Sequence, residues 1–86
     1  MDWEVRLSSG AERALGRVPA RDRQRIEAAL LEMEHDPQAG DTRPLHGRHQ
    51  GAHRRRVGPW RIIFTLKLDI RTVLVADITR RTSTTY

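Results

Sequence analysis

Strict alternation of apolar and polar residues in two stretches predicts β-strands, because neighbouring strand side chains point to opposite faces. In the first stretch, Trp3, Val5 and Leu7 alternate with polar residues. The second stretch runs from Trp60 to Leu68, where every second residue is apolar. Each strand should therefore have one buried face and one more polar face.

Between these strands the apolar spacing changes to three or four residues, which predicts helices. Ser9 and Glu12 have the spacing of a capping box, and a short helix should follow to about Val18. Pro19 is suited to open a second helix, which we expect to end at Asp36-Pro37. The buried stripe of this second helix is predicted to consist of Ile26, Ala29, Leu30 and Met33. Together the two helices predict a helical hairpin.

The second half of the chain predicts three consecutive strands. Residues 36–51 are rich in Pro, Gly, Asp and His and should form a loop. Further strands are expected from about His53 to Val57 and from Thr72 to Thr79, on either side of the alternating stretch. Gly58-Pro59 and residues 69–71 should form the two connections. The pattern predicts a single domain over residues 1–86 with an α+β fold. It has an N-terminal strand, a helical hairpin and a three-stranded antiparallel meander, and the helices pack on one face of the sheet.

Charge is unevenly distributed between the two halves. Residues 1–42 contain six Arg against nine Asp and Glu, whereas residues 43–86 contain nine Arg and one Lys against two Asp. This asymmetry predicts a basic surface in the second half, suited to phosphate and to RNA. Arginine offers a planar fork that matches phosphate oxygens. An arginine-rich proteome could also explain the choice of Arg, but it does not explain why acidic residues avoid the second half.

Strand geometry narrows this basic surface to three arginines. If the apolar side of the strand from Trp60 packs under the helices, Arg61 faces away from them. If Val57 also faces the core, Arg54 and Arg56 lie on the same surface as Arg61. Arg55 has the opposite parity, so it should either snorkel at a sheet edge or mark a bulge, and a bulge would weaken this convergence.

Composition also limits the class of protein. The chain has no cysteine, which excludes disulfides and thiolate metal sites. The N-terminus lacks the pattern of a signal peptide, and the apolar runs are too short to span a membrane. His46, His49 and His53 have no recognisable metal-ligand spacing. We therefore expect a cytoplasmic protein without membrane contact, metal or other cofactor.

Three motifs occur in order along nearly the whole chain. Residues 8–15 contain Ser-x-x-Ala-x-x-x-Leu, and residues 44–47 read Pro-Leu-His-Gly. Residues 54–64 read Arg-Arg-Arg-Val-Gly-Pro-Trp-Arg-Ile-Ile-Phe, and Arg80, Arg81 and Tyr86 follow the last strand. In this order and spacing, the motifs resemble the RelE/ParE superfamily of bacterial and archaeal toxins from toxin–antitoxin systems. The resemblance is more specific for the fold than for the activity.

The resemblance implies a function. RelE-type toxins are endoribonucleases that cut messenger RNA in the ribosomal A site and so inhibit translation. A ribose 2′-hydroxyl attacks the adjacent phosphate and leaves a cyclic phosphate, while basic side chains stabilise the charge and a tyrosine stacks on a base. A cognate RelB-like antitoxin neutralises the toxin, and operator DNA is bound only through the toxin–antitoxin complex. ParE-like relatives instead inhibit DNA gyrase.

Site residues are carried over by position. Arg54, Arg56 and Arg61 fall where RelE-type toxins have catalytic basic residues. Strand register selects Arg81 as the C-terminal catalytic arginine, although counting back from Tyr86, which matches the stacking tyrosine, selects the preceding arginine. Additional RNA contacts are expected from Arg48, His49, Lys67 and Arg80.

These residues do not identify the group that accepts the proton from the 2′-hydroxyl. Some RelE toxins have lysine where this chain has Arg54 and Arg56, and arginine stays protonated in proteins. His46, His49 and His53 are candidates, although strand parity points His53 toward the core. The resemblance thus predicts a ribosome-dependent endoribonuclease, with a ParE-like gyrase inhibitor or an inactive member that binds only antitoxin as alternatives.

Overall fold

The computed structural model describes residues 2–47 and 51–80, which form two α-helices and five strands. In chain order the elements are β1 (Glu4–Leu7), α1 (Ser9–Gly16), α2 (Ala20–Met33), β2 (Thr42–Pro44), β3 (Ala52–Val57), β4 (Trp60–Lys67) and β5 (Thr72–Arg80). A short 3-10 turn, Leu68–Ile70, joins β4 to β5.

The strands form one mixed sheet in the order β1-β5-β4-β3-β2. β1 runs parallel to β5, and every other neighbouring pair is antiparallel. The two helices pack on one face of this sheet, which we call the helix face, and leave the opposite face, the open face, uncovered. The predicted α+β fold, with its helical hairpin and its β3-β4-β5 meander, is confirmed.

The hydrophobic core lies between the helices and the helix face. The predicted stripe of α2 is buried, and Phe64 and Ile62 of β4 are fully buried opposite it. Since burial of apolar area is the main favourable contribution to folding, this layer holds the sheet and helices together. The buried apolar residues are Ala11, Val18, Ile26, Ala29, Leu30, Met33, Ile62, Phe64, Val73, Val75 and Ile78.

The start of α1 differs from the capping box predicted from the sequence. The N-cap is Ser8, whose Oγ accepts a hydrogen bond from Ala11 N at 3.0 Å, so the prediction of Ser9 as the cap, with Glu12 as its partner, is wrong by one residue. Ser8 takes this role because it directly follows β1 and continues its pairing with β5, through its backbone N donating to Val75 O at 2.9 Å. The cap is therefore fixed by strand pairing, which sequence spacing alone does not reveal.

The segment predicted as a loop from residue 36 to 51 contains a strand, β2. Thr42 pairs with Arg55, and Pro44 pairs with His53. Three residues are too few to show alternation, and the proline is tolerated because β2 lies at the edge of the sheet. This strand is the one correction to the predicted element order in the part of the chain that the structure describes.

A β-bulge interrupts the pairing of β4 with β5. Phe64 pairs with Val75 and Ile63 pairs with Asp77, so Ala76 is an extra residue on β5. Ser8 Oγ donates a hydrogen bond to Ala76 O at 2.8 Å and so ties the bulge to the start of α1. The extra residue shifts the alternation of β5 by one position, and this shift determines which side chains reach the open face.

The β4–β5 connection lies at one end of the sheet. Its last residue, Arg71, has a positive φ of 45°, which closes the turn. Leu68 and Ile70 of the 3-10 turn are exposed.

None of the helices in the described ranges is both long and apolar enough to cross a membrane.

Candidate functional site

The open face carries a row of side chains across four strands. Arg43 of β2 pairs with Arg54 of β3, which pairs with Ile63 of β4, which pairs with Asp77 of β5. Paired residues in neighbouring strands project to the same side of a sheet. The row therefore places two arginines on one side of an apolar side chain and a carboxylate on the other.

A second row lies one step along the strands. Arg56 of β3 pairs with Arg61 of β4, and Arg61 pairs with Thr79 of β5. The predicted convergence of Arg54, Arg56 and Arg61 on one surface is thus present in the geometry. Strands lie about 4.8 Å apart, so the guanidinium groups of these residues can reach a single phosphate group from several sides.

Parts of the two rows, together with Leu45, line a cleft of about 270 Å³. Its lining residues are Leu45, Arg54, Arg61, Ile63, Asp77 and Thr79. Arg54 is 13% exposed at its side chain, although it lies on the uncovered face of the sheet. The cleft therefore combines fixed positive charge with one carboxylate and one hydroxyl. Its two apolar lining residues are Leu45 and Ile63.

Arg61 has an unused hydrogen-bond donor in this cleft. Its Nε is buried and has no acceptor among residues 2–47 and 51–80, as is also true of Nε in Arg55 and Arg56. Buried polar groups in proteins are almost always hydrogen-bonded, so an unmatched donor calls for an explanation. An anionic ligand would supply the missing acceptor.

Asp41, which immediately precedes β2, lies beside the other two arginines. Its Oδ1 is 3.4 Å from Arg54 Nη1, and its Oδ2 is 3.6 Å from Arg56 Nε. Its backbone O accepts a hydrogen bond from Arg56 N at 2.9 Å. Both distances between side chains are long for an ion pair, and Asp41 is 45% exposed, so a stronger anion can compete with it for these arginines.

Arg55 lies on the helix face. β3 pairs with β4 without a bulge, so Arg55 faces the helices by regular alternation. Its Nη2 donates to Glu32 Oε1 at 2.6 Å, and its Nη1 donates to Ala39 O at 3.1 Å. The guanidinium lies against Gly40, whose positive φ of 67° and missing side chain leave room for it. Arg55 thus fastens the segment after α2 to the sheet, and the alternation of its neighbours is preserved.

Arg80 and Lys67, both predicted to contact RNA, lie away from the cleft. Arg80 pairs with Trp60 and lies over its ring on the helix face, with Cζ 5.9 Å from the ring centroid. Lys67 is on the open face, but it lies about 20 Å along β4 from Arg61 at 3.3 Å per residue. The predicted residues Arg48, His49, Arg81 and Tyr86 lie outside the described residues.

The histidines within the described ranges do not line the cleft. His53 faces the helices, as its parity predicted, and stacks on Phe64 with ring centroids 5.4 Å apart. His46 is exposed in the segment after β2, and only its neighbour Leu45 lines the cleft. Neither is placed to act on a ligand that contacts Arg61.

Asp77 is the charged lining residue that the sequence did not single out. Regular alternation from Val73 and Val75 would turn it toward the helices. The bulge at Ala76 reverses this parity, so Ile78 enters the core and Asp77 enters the cleft. The sequence did contain one signal of the irregularity. Asp77 follows Val75 by two residues, and regular alternation would bury its carboxylate in the core without a partner, which is unfavourable.

A second concave surface lies between β1 and the helices. It is a groove of about 420 Å³, with apolar walls and two carboxylates. Its lining residues are Val5, Leu7, Leu15, Glu27, Leu30, Leu31 and Glu34. β1 pairs only with β5 among the described strands, so its outer edge is open beside this groove.

No protein-family model matches the chain, and no curated protein sequence matches it. A chain of the RelBE toxin–antitoxin complex from Mycobacterium tuberculosis is 21% identical, with a TM-score of 0.86 over 94% of this chain and 100% of that chain. The archaeal RelE–RelB complex from Pyrococcus horikoshii matches at 20% identity, with a TM-score of 0.84 over 96% and 99% of the two chains. The YoeB/ParE toxin from Agrobacterium tumefaciens matches at 18% identity, with a TM-score of 0.79 over 92% and 99%. The chain thus has the RelE-like fold that its motifs predicted.

Proposed function

We propose that this chain is the toxin of a toxin–antitoxin pair and that it cleaves messenger RNA at the ribosome. The observation that carries this proposal is the cleft on the open face, which Arg54 and Arg61 line and where the side chain of Arg61 has no hydrogen bond or ion pair in the described part of the chain. The RelE-like fold supports it, because the matched structures are toxins and toxin–antitoxin complexes.

The proposed reaction uses the arginines for charge stabilisation. When a ribose 2′-hydroxyl attacks the neighbouring phosphate, negative charge increases on the phosphate oxygens. Arg54, Arg56 and Arg61 donate N–H groups from three directions and stabilise the transition state more than the substrate. The products are a cyclic phosphate and a free 5′-hydroxyl, as the resemblance to RelE-type toxins implies.

The remaining predicted contacts extend this site. We propose that Arg81 supplies a further guanidinium and that Tyr86 stacks on a base. Base–aromatic stacking contributes about 1–3 kcal/mol per base, so Tyr86 would position the nucleotide. Arg48, His49, Lys67 and Arg80 would contact RNA outside the cleft. A ribosomal target also implies that the protein acts in the cytoplasm.

We further propose that a RelB-like antitoxin neutralises the chain and that operator DNA is bound only through that complex. Two of the matched structures are RelE-type toxins bound to antitoxins. The apolar groove beside β1, with Glu27 and Glu34 in its lining, would suit an amphipathic segment that carries basic residues.

The test is the mapping of mRNA ends by primer extension after induction of the wild type, Arg61→Gln and Arg13→Gln. Arg13 is an exposed residue of α1, so its variant is a matched control for the loss of one positive charge. We expect cleavage by the wild type and by Arg13→Gln, and a rate lowered by about 10²–10³-fold in Arg61→Gln.

Intact transcripts in cells that the wild type arrests would contradict the proposal. Supercoiling defects in those cells, with arrest unaffected by Arg61→Gln, would instead indicate a ParE-like gyrase inhibitor. Normal growth and intact transcripts would indicate a chain that binds only its antitoxin.

A further inference from the structure

We infer that Asp77 is the proton acceptor of the reaction and takes the proton from the attacking 2′-hydroxyl. This assignment rests on the proposed function. It starts from the bulge in β5, which turns a carboxylate out of the core and into the cleft that holds Arg54 and Arg61. Bulges recur beside active sites because they re-aim single side chains in this way.

The bulge is built into the fold rather than being a local irregularity. Ser8 holds it from the helix side, through Oγ donating to Ala76 O at 2.8 Å and backbone N donating to Val75 O at 2.9 Å. Asp77 contributes from the other side, because its Oδ1 accepts a hydrogen bond from Ile78 N at 2.8 Å. The carboxylate is therefore fixed in one orientation at the wall of the cleft.

One oxygen of this carboxylate is free to accept a proton. Oδ1 accepts from Ile78 N, and within residues 2–47 and 51–80 nothing donates to Oδ2. Asp77 and Arg54 lie on opposite sides of Ile63, so their backbones are about 10 Å apart at the usual strand spacing. A phosphate held by the arginines would therefore have its neighbouring ribose within reach of Oδ2.

Other candidates in the described part of the chain are less well placed. Arginine stays protonated, so neither the two arginines that line the cleft nor Arg56 beside it can accept the proton. Asp41 lies against Arg54 and Arg56 with one oxygen toward each, and it does not line the cleft. His53 faces the helices. Asp77 alone among these groups combines an acceptor with a position in the cleft.

The proton and electron balance of the step is simple. The 2′-hydroxyl proton moves to Asp77 Oδ2 as the O2′–P bond forms, and the P–O5′ bond breaks with its electron pair leaving on O5′. Water donates a proton to the leaving oxygen, and the resulting hydroxide takes the proton from Asp77. The products are the 2′,3′-cyclic phosphate, the 5′-hydroxyl and the regenerated carboxylate.

The first experiment measures single-turnover cleavage on mRNA-programmed ribosomes with an empty A site. It compares the wild type with Asp77→Asn and Asp69→Asn. Asn keeps an oxygen to accept the Ile78 N–H, and Asp69, in the turn after β4, is the other acidic residue of residues 43–86. We expect Asp77→Asn to be slower by about 100-fold or more and Asp69→Asn to stay within about twofold of the wild type.

Equal rates for the three proteins would overturn the assignment and leave the proposed function standing. Absence of cleavage by the wild type would overturn both. A second variant, Asp77→Ala, distinguishes proton transfer from a structural role of Asp77. It removes the side-chain carboxylate and leaves space in which a small carboxylate ion can bind.

In this second experiment, formate is added to Asp77→Ala, with chloride at the same ionic strength as the control. We expect formate to restore part of the cleavage rate of Asp77→Ala and to leave Arg61→Gln unchanged, since formate can replace a proton acceptor but not a guanidinium. A slow Asp77→Ala variant that formate does not accelerate would indicate a role limited to the bulge, and would overturn the assignment.

Discussion

Three consecutive arginines of β3 lie in two different environments, because alternate residues face opposite sides of the sheet. Arg55, on the helix face, is 12% exposed and has acceptors on α2 and on the segment that follows it. Within residues 2–47 and 51–80, the guanidinium groups of Arg54 and Arg56, on the open face, have ion-pair contacts only with Asp41, at 3.4 and 3.6 Å. One residue type thus serves packing on one face and is available to a ligand on the other.

The difference between the faces lies in the partners of their guanidinium groups. On the helix face, the guanidinium of Arg55 links β3 to α2 and to the segment that follows α2. On the open face, the side chain of Arg61 has no hydrogen bond or ion pair within the described ranges, whereas Arg55 has two acceptors although its own Nε is also unmatched. A guanidinium without a partner in the described part of the chain is available to an anionic ligand, so the open face is the one suited to bind it.

Removing one apolar side chain from each face should produce the largest difference between them. Phe64 is fully buried on the helix face, whereas its neighbour Ile63 lines the cleft. We expect Phe64→Ala to lower the free energy of unfolding by about 3–5 kcal/mol, because it leaves a cavity in the core. Ile63→Ala should cost only about 1–2 kcal/mol, since part of its surface already contacts water. Urea denaturation measures both values, and equal losses would mean that the two faces share one core.

Much of this two-faced arrangement could be predicted from the sequence. The alternation from Trp60 to Leu68 separated Phe64 from Ile63, and the helical spacing in α2 identified its buried stripe. Turn residues then bounded each strand. These features depend on neighbouring residues and their periods, so a single chain reveals them.

The rest depended on contacts between distant residues. β2 is too short to carry a period, and it exists because Thr42 and Pro44 pair with β3. The bulge at Ala76 depends on Ser8, which lies 68 residues away in sequence. Asp77 was missed as a site residue for the same reason, because unbroken alternation placed it in the core.

The second prediction compares the two environments within β3 itself. Arg55→Ala leaves the Ala39 carbonyl and the half-exposed Glu32 without their donor, so we expect a loss of about 1–3 kcal/mol in the free energy of unfolding. At about 4–8 °C per kcal/mol for a domain of this size, the Tm should fall by several degrees. Arg56→Ala, one residue along, should change the stability by about 0.5 kcal/mol or less. Thermal unfolding followed by circular dichroism distinguishes the two, and a larger shift for Arg56→Ala would reverse the roles assigned to them.

The third prediction concerns binding by the open face. Each phosphate contact with single-stranded RNA contributes about 0.7 to the slope of log affinity against log salt concentration. We expect Arg54→Gln to reduce this slope by about 0.7 for a short single-stranded RNA, and Arg13→Gln on α1 to leave it unchanged. Fluorescence anisotropy at four or five salt concentrations measures it. An unchanged slope in Arg54→Gln would show that this arginine does not contact phosphate.

The smallest effect is expected at Asp41, which competes with a phosphate for the open-face arginines. Its contacts with Arg54 and Arg56, at 3.4 and 3.6 Å, are partly exposed, so they are worth about 1 kcal/mol or less. Asp41→Asn should therefore tighten RNA binding by roughly fivefold at most, with little change in stability.

Asp69→Asn, which changes the net charge equally but lies in the turn after β4, is the control for long-range attraction. Equal tightening in both variants would mean that only net charge matters. Weaker binding in Asp41→Asn would mean that Asp41 orients the two arginines for the phosphate instead of competing with it.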